Sequence, residues 1–372
     1  MGMGFRMILP HLNGASYGRL LRSLVLAIPC LLQGCYSFGP DQIRGTHPLY
    51  NAAVVDAGNE QLLNNLVRLR YRDPTAFLDV SSIASTTKLT FEANASGDFA
   101  STDSGILGLG STYETYPTIS YAPLQGEDFS KRLLSPVSVS ALLSLSRSGW
   151  SLRRVFGVCV EEINDISNAP TASGPTPSLA PKQYEDWNRL AVYLDRIHDA
   201  NLIKAYEDPK SGRLTVSIKT EVKNHPDILA LKQILHLPRE QDRFEVIESN
   251  ADHPETTISI FARPLMSTLF YLSHNIDVPK EDKDAGLVTI TRSHEGHPFD
   301  WQKTPAGQLF HVRVSETRPD LAFIATPYRD HWFYIADDDL ESKSTFLLLT
   351  QLFRLQAGAT KTPGPTLTLP VR

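Results

Sequence analysis

Residues 86–121 carry two long runs in which apolar and polar residues alternate, a pattern that few folds accommodate. In the first run Leu89, Phe91, Ala93 and Ala95 share one face. The stretch from Gly97 to Gly105 is small and polar and reads as a turn. On the return, Leu107, Leu109, Tyr113, Ile119 and Tyr121 share one parity, opposite Gly108, Gly110, Thr112, Glu114 and Thr118. A period of two over this length calls for a β-hairpin with two unlike faces. Half-exposed sheets are built this way, and that is the reading favoured by the sequence. Transmembrane barrel strands have the same form, about 9–11 residues each, but one hairpin cannot close a barrel. A pore would therefore need several copies of the chain.

Elsewhere the periodicity changes. Leu62, Leu63, Leu66 and Val67 predict a helix over about 59–71, ended by Pro74. Arg68, Arg70 and Arg72 crowd its end. They complement the helix dipole and pair with Asp73, or they form an interaction surface for anionic headgroups. Helix is expected from Glu127 to Leu145, broken at Pro136, followed by a buried strand through Val155–Val160 that contains Cys159. Residues 168–182 (NAPTASGPTPSLAPK) read as a linker, the expected boundary between an N-terminal region 51–167 and a C-terminal region 183–356. In the second region the pattern predicts helices at 184–200, 228–235, 264–272 and 340–355. Strands are expected at 214–218, 244–247, 310–314, 321–325 and 332–335, the last two as a hairpin. Asp338 and Glu341 stand at capping-box spacing. Residues 357–372 read as a Pro-rich tail. Helices between short strands without a βαβ rhythm argue for α+β with mostly antiparallel sheet.

Residues 1–34 hold Arg6, Arg19 and Arg22 and no acid, then the apolar run Leu24–Leu32. Basic-then-apolar order, too short to span a bilayer, reads as a secretory signal peptide. The ending Leu32-Gln33-Gly34-Cys35 resembles the lipobox of bacterial lipoprotein precursors, with Gln33 the one departure. The resemblance implies cleavage before Cys35 and lipidation of that cysteine, with residues 35–50 as the tether. Tyr36 in place of Asp implies, by the same resemblance, transfer to the outer membrane. Asn59–Ile83 is similar to a stretch that recurs in proteobacterial lipoproteins without an assigned activity, with Pro117–Tyr121 and Trp332–Ile335 as weaker companions. That resemblance brings no catalytic residues.

Removal of 1–34 takes away three arginines and shifts the formal charge from −5 to −8, which excludes a strongly basic nucleic-acid binder. Of three cysteines, Cys30 leaves with the leader and Cys35 carries lipid, so Cys159 stands alone and reads as a buried, inert thiol. His294 and His297 are weak zinc candidates, since zincins need histidines four apart on a helix and Gly296 and Pro298 make this a loop. Asp337–Asp339 with Glu341, and Asp282 with Asp284, fall short of a calcium loop. Ser85-Thr86-Thr87-Lys88 lacks the companion motifs of penicillin-binding enzymes. No catalytic constellation and no cofactor motif stands out. Trp332 and Tyr334 offer an interaction surface if alternation buries Phe333 and Ile335 instead. The sequence thus leads to a lipid-anchored outer-membrane protein facing the periplasm, with an envelope partner or self-association. A channel subunit contributing the hairpin and a metal-assisted hydrolase are the alternatives.

Overall fold

A computed structural model describes residues 3–8, 38–97, 105–175, 180–181, 184–209, 211–249 and 251–357. Cys35, the apolar run before it and the tail beyond residue 357 lie outside them. The fold is α+β with mostly antiparallel sheet, and it divides into two units, 1–57 with 78–122 and 58–77 with 123–372.

In the first unit, strand β1 (Met3–Ile8) leads by way of helix α1 (Phe38–Arg70) to the long strands β2 (Leu78–Gly97) and β3 (Gly105–Pro123). β1 and β2 flank β3, and β1 runs antiparallel to it from Met3 opposite Ser111 to Ile8 opposite Ile106. The hairpin is thus longer than the alternation suggested. Twenty residues in β2 span up to roughly 65 Å when extended. The expected irregular tether also differs. From Phe38 the chain is helical, with Pro40 in the first turn, where its missing N–H is tolerated, and Pro48 inside. Leu49 and Val55 are exposed, and among the described side chains of this half of the helix none is buried.

From Gly58 onward α1 belongs to the second unit, the body. Leu62, Leu63, Leu66 and Val67 are buried there, as their spacing predicts. The helix ends in a Schellman turn: Asp73 N–H bonds Arg68 O, Arg72 N–H bonds Leu69 O, and Arg72 takes φ 62° in the left-handed region.

The body continues with α2 (Glu127–Leu134), α3 (Val139–Arg147) and α4 (Leu152–Cys159), then strands β4 (Val160–Ile163) and β5 (Ile166–Ser167). After α5 (Glu185–Asp199) come β6 (Ile203–Glu207), β7 (Leu214–Ile218), α6 (Pro226–Ile234), β8 (Arg243–Glu248) and β9 (Thr257–Ala262). Next are α7 (Leu265–Ser273), α8 (Lys280–Asp284), β10 (Arg313–Ser315), β11 (Ala322–Tyr328), β12 (His331–Ala336) and α9 (Leu340–Ala357). A six-stranded sheet has the order β5-β4-β9-β8-β7-β6, antiparallel except for β8 against β9. A second, three-stranded sheet has the order β10-β12-β11. Helix α7, apolar on most sides, sits centrally and packs against α2, α4, α9 and a 3-10 turn at Pro170–Ser173.

Three expectations are corrected. The Cys159 segment is a helix, because Leu152, Val155, Phe156 and Cys159 form one buried stripe and the Ser151 side chain accepts Arg154 N–H as its N-cap. The presumed linker at 168–182 is no boundary, since the chain on both sides lies in the body and Asn168, Ala169 and Ala172 are wholly buried. What holds it inside is long-range hydrogen bonding that composition does not encode. Asn168 Nδ2 donates to Gly157 O at 2.9 Å and Val160 O at 2.8 Å, and Asn168 Oδ1 accepts from Tyr271 Oη at 2.9 Å. At the start of α9 the capping carboxylate is Asp339, accepting Ser342 N–H at 3.0 Å, while Glu341 pairs with Arg154.

Candidate functional site

The end of α1, the segment after α7 and the loop 290–302 enclose a cavity of about 400 Å³ within the body. Its inner wall is buried and includes His274, Asn275, Ile276, Val278 and Trp301. Its rim, with Asp277, Lys283, Pro298, Asp300 and Gln302, is exposed. The volume falls in the range of small-ligand sites, roughly 300–1,000 Å³.

Of the cations that line this cavity, Arg70 is half-buried and Lys283 exposed. The last turn of α1 carries Arg70 inward, and one guanidinium N–H donates to Thr289 O at 3.2 Å. Its Nε is buried without a hydrogen-bond partner, and among the described residues no carboxylate pairs with it. Burial pushes its pKa down to about 10, with Arg72 acting in the same direction, so it stays charged at neutral pH. Next to it His274 lies flat against Trp301, ring centroids 4.4 Å apart at 18°, with Nε2 3.2 Å from Ala172 O. A nitrogen facing a carbonyl at that distance carries the proton. Burial, and then the charge of Arg70, hold the His274 pKa down at about 3, so the ring is neutral. At the rim His311 Nε2 is 3.0 Å from Asp277 Oδ2, and Asp300 accepts Gln302 N–H at 3.0 Å. Both acids are thus engaged locally.

Gly307 allows the wall to close. A Cβ there would meet Trp301 O at 2.0 Å and Asn275 Oδ1 at 2.6 Å, so only glycine fits beside this backbone. Asn275 Oδ1 is itself buried without a hydrogen-bond partner. Tyr71 Oη donates to Asp282 and ties the end of α1 to α8.

A second polar cluster is structural. Arg263 is wholly buried; it donates to Val160 O at 2.6 Å, to Ser173 Oγ at 3.0 Å and to Asn168 O, and lies 4.3 Å from the Tyr271 ring centroid. Glu161, 3.8 Å away, supplies the opposite charge. Cys159, adjacent in this region, is fully buried and its thiol is pushed up to about 12 by burial, with Arg263 opposing, which leaves it inert as expected.

The expected basic cluster separates. Arg68 bonds Asn64 Oδ1 at 2.9 Å and Pro74 O at 3.1 Å, Arg70 turns into the cavity, and Arg72 is exposed. Asp73, expected to pair with these arginines, instead accepts from Tyr328 Oη and lies 3.5 Å from Arg329. Phe333 and Ile335 are buried, and Trp332 and Tyr334 only half so, with Arg318 5.3 Å from the Trp332 ring centroid. Phe333 meets Tyr71 and Tyr328 edge-on. His294 and His297 are exposed on a turn, and among the described residues no three His, Cys, Asp or Glu side chains gather as a metal site. The cavity was missed because Arg70 and residues 274–311 are far apart in the chain and no motif links them. Comparison with known proteins finds no matching family model, no matching curated protein and no matching solved structure.

Proposed function

We propose that the chain is a structural or interaction component of a bacterial envelope assembly, anchored to the outer membrane by lipid on Cys35 and facing the periplasm, and that it engages the assembly through the β2–β3 hairpin. The observation that carries this reading is the exposure of large apolar side chains on both faces of the ribbon. Ile119 and Tyr121 are 41% and 58% exposed on one face, and Tyr116 is 56% exposed on the other. Beyond Ser111 no third strand is paired to β3 among the described residues, and large apolar side chains left exposed on such a ribbon are the kind of surface a partner covers.

A second reading, a channel built from several chains, is favoured by length. Strands of 20 and 19 residues exceed the roughly 9–11 that cross a bilayer. Fractionation of the Cys35→Ser variant tests the anchor. Release from the membrane is expected; unchanged membrane association contradicts the lipid anchor. Association that persists until 78–122 is also removed favours the channel.

A further inference from the structure

We propose that the cavity beside Arg70 binds a small organic anion, its carboxylate or phosphate paired with the Arg70 guanidinium and its apolar body against Ile276, Val278, Ile290 and Phe299. None of the residues that line it belongs to the hairpin.

The Arg70 side chain is half-buried with its Nε shut off from water, and desolvation of that part of its charge is unrepaid without an anion. Arg263 shows how this chain handles that problem where the role is structural: carbonyls, a hydroxyl and Glu161 surround the guanidinium. Arg70 has no such shell. One carbonyl accepts from it, its Nε is unmet, and among the described residues it has no carboxylate partner. The two rim acids do not serve it: Asp277 is held by His311, and Asp300 caps the turn at Trp301–Lys303. The neighbouring imidazole is neutral and adds no competing positive charge. A bound anion would complete the arginine through the paired hydrogen bonds a guanidinium makes to carboxylate or phosphate oxygens.

The walls decide what the anion is attached to. Ile276, Val278, Ile290 and Phe299 line the same space, together with Trp301 stacked on His274. About 400 Å³ is far more than an inorganic ion fills, and it suits a ring or short chain carrying one acidic group. Lys283 at the rim adds a second cation on the approach.

Titration calorimetry of the full chain in detergent, with benzoate, benzamide and inorganic phosphate at one ionic strength, tests the proposal. Benzoate is expected to bind at least tenfold more tightly than benzamide, which lacks the charge, and than phosphate, which lacks the apolar body. Arg70→Gln should remove the preference for benzoate over benzamide. Ile290→Trp, which fills the cavity and leaves Arg70 in place, should weaken benzoate at least tenfold and keeps the test open if Arg70→Gln does not fold. Equal binding of benzoate and benzamide overturns the site, as does a preference that survives Arg70→Gln or a benzoate affinity that survives Ile290→Trp. So does benzoate affinity weaker than about 10 mM.

Discussion

The β2–β3 ribbon and strand β8 in the six-stranded sheet of the body share an alternation of residues but differ in what covers them. In β9, Thr257 through Ile260 and Ala262 are buried, and in β8 Phe244 and Val246 are buried, so the sheet is covered and its register is fixed by what it packs against. In the ribbon Leu78, Ile83, Tyr116, Ile119 and Tyr121 are all exposed, and Ser81 Oγ to Ser120 O at 3.1 Å is a local cross-strand tie. Alternation alone therefore does not indicate a core. It indicates two unlike faces, and the partner that covers one of them can lie outside the chain. The body also closes without the ribbon: Leu124 N–H bonds Phe77 O at 2.9 Å, across the point where the ribbon leaves.

This contrast can be broken by experiment, and the body should respond most. Arg263→Ala removes the buried guanidinium and leaves Glu161 without its opposite charge, and should cost about 3–5 kcal/mol in denaturant unfolding. A loss below about 1 kcal/mol would mean that the Arg263 shell is not structural. Acid should act next. The His274 pKa is about 3 in the folded chain and near 6.5 when unfolded, so the unfolded state binds the extra proton between those values. Its contribution is complete above about pH 6.5 and is lost as the pH falls toward 3. His274→Gln should flatten that limb of a stability–pH curve; an unchanged limb would show that other groups govern it.

A smaller effect is expected at the cap of α9, where Asp339→Ala should cost about 1 kcal/mol and Glu341→Gln distinctly less as a capping change. Smallest of all, Tyr116→Ser or Tyr121→Ser in the ribbon should leave unfolding of the body within about 0.5 kcal/mol of the unsubstituted chain. A large destabilisation there would mean that the ribbon is part of the body's core.

Legibility followed the range of the interactions. Helix α1 beyond Gly58, helix α5 with buried Trp187, Leu190, Leu194 and Ile197, and the β11–β12 hairpin were readable because a local period reports burial directly. The helix at Leu152–Cys159 was misread because Val155–Val160 is β-prone in isolation, and the deciding residues, Ser151 and Leu152, precede it. Strands β6 and β9 gave no separate signal, and the parallel pairing of β8 with β9 depends on a crossover, not on composition. The stretch 168–173 looked like a linker because small residues and proline fit both a loop and a tightly bonded interior turn. Arg70 was readable as a basic residue at a helix end. Its lack of a carboxylate partner was not, since that depends on Thr289 and its neighbours, more than two hundred positions away.

The claim that the ribbon serves assembly is tested most directly by the mass of the purified, lipidated protein in mild detergent, compared with an Ile119→Asp, Tyr121→Asp double variant. Several chains per particle are expected for the unsubstituted protein, and a single chain with an equally stable body for the variant. One chain per particle in both would contradict it.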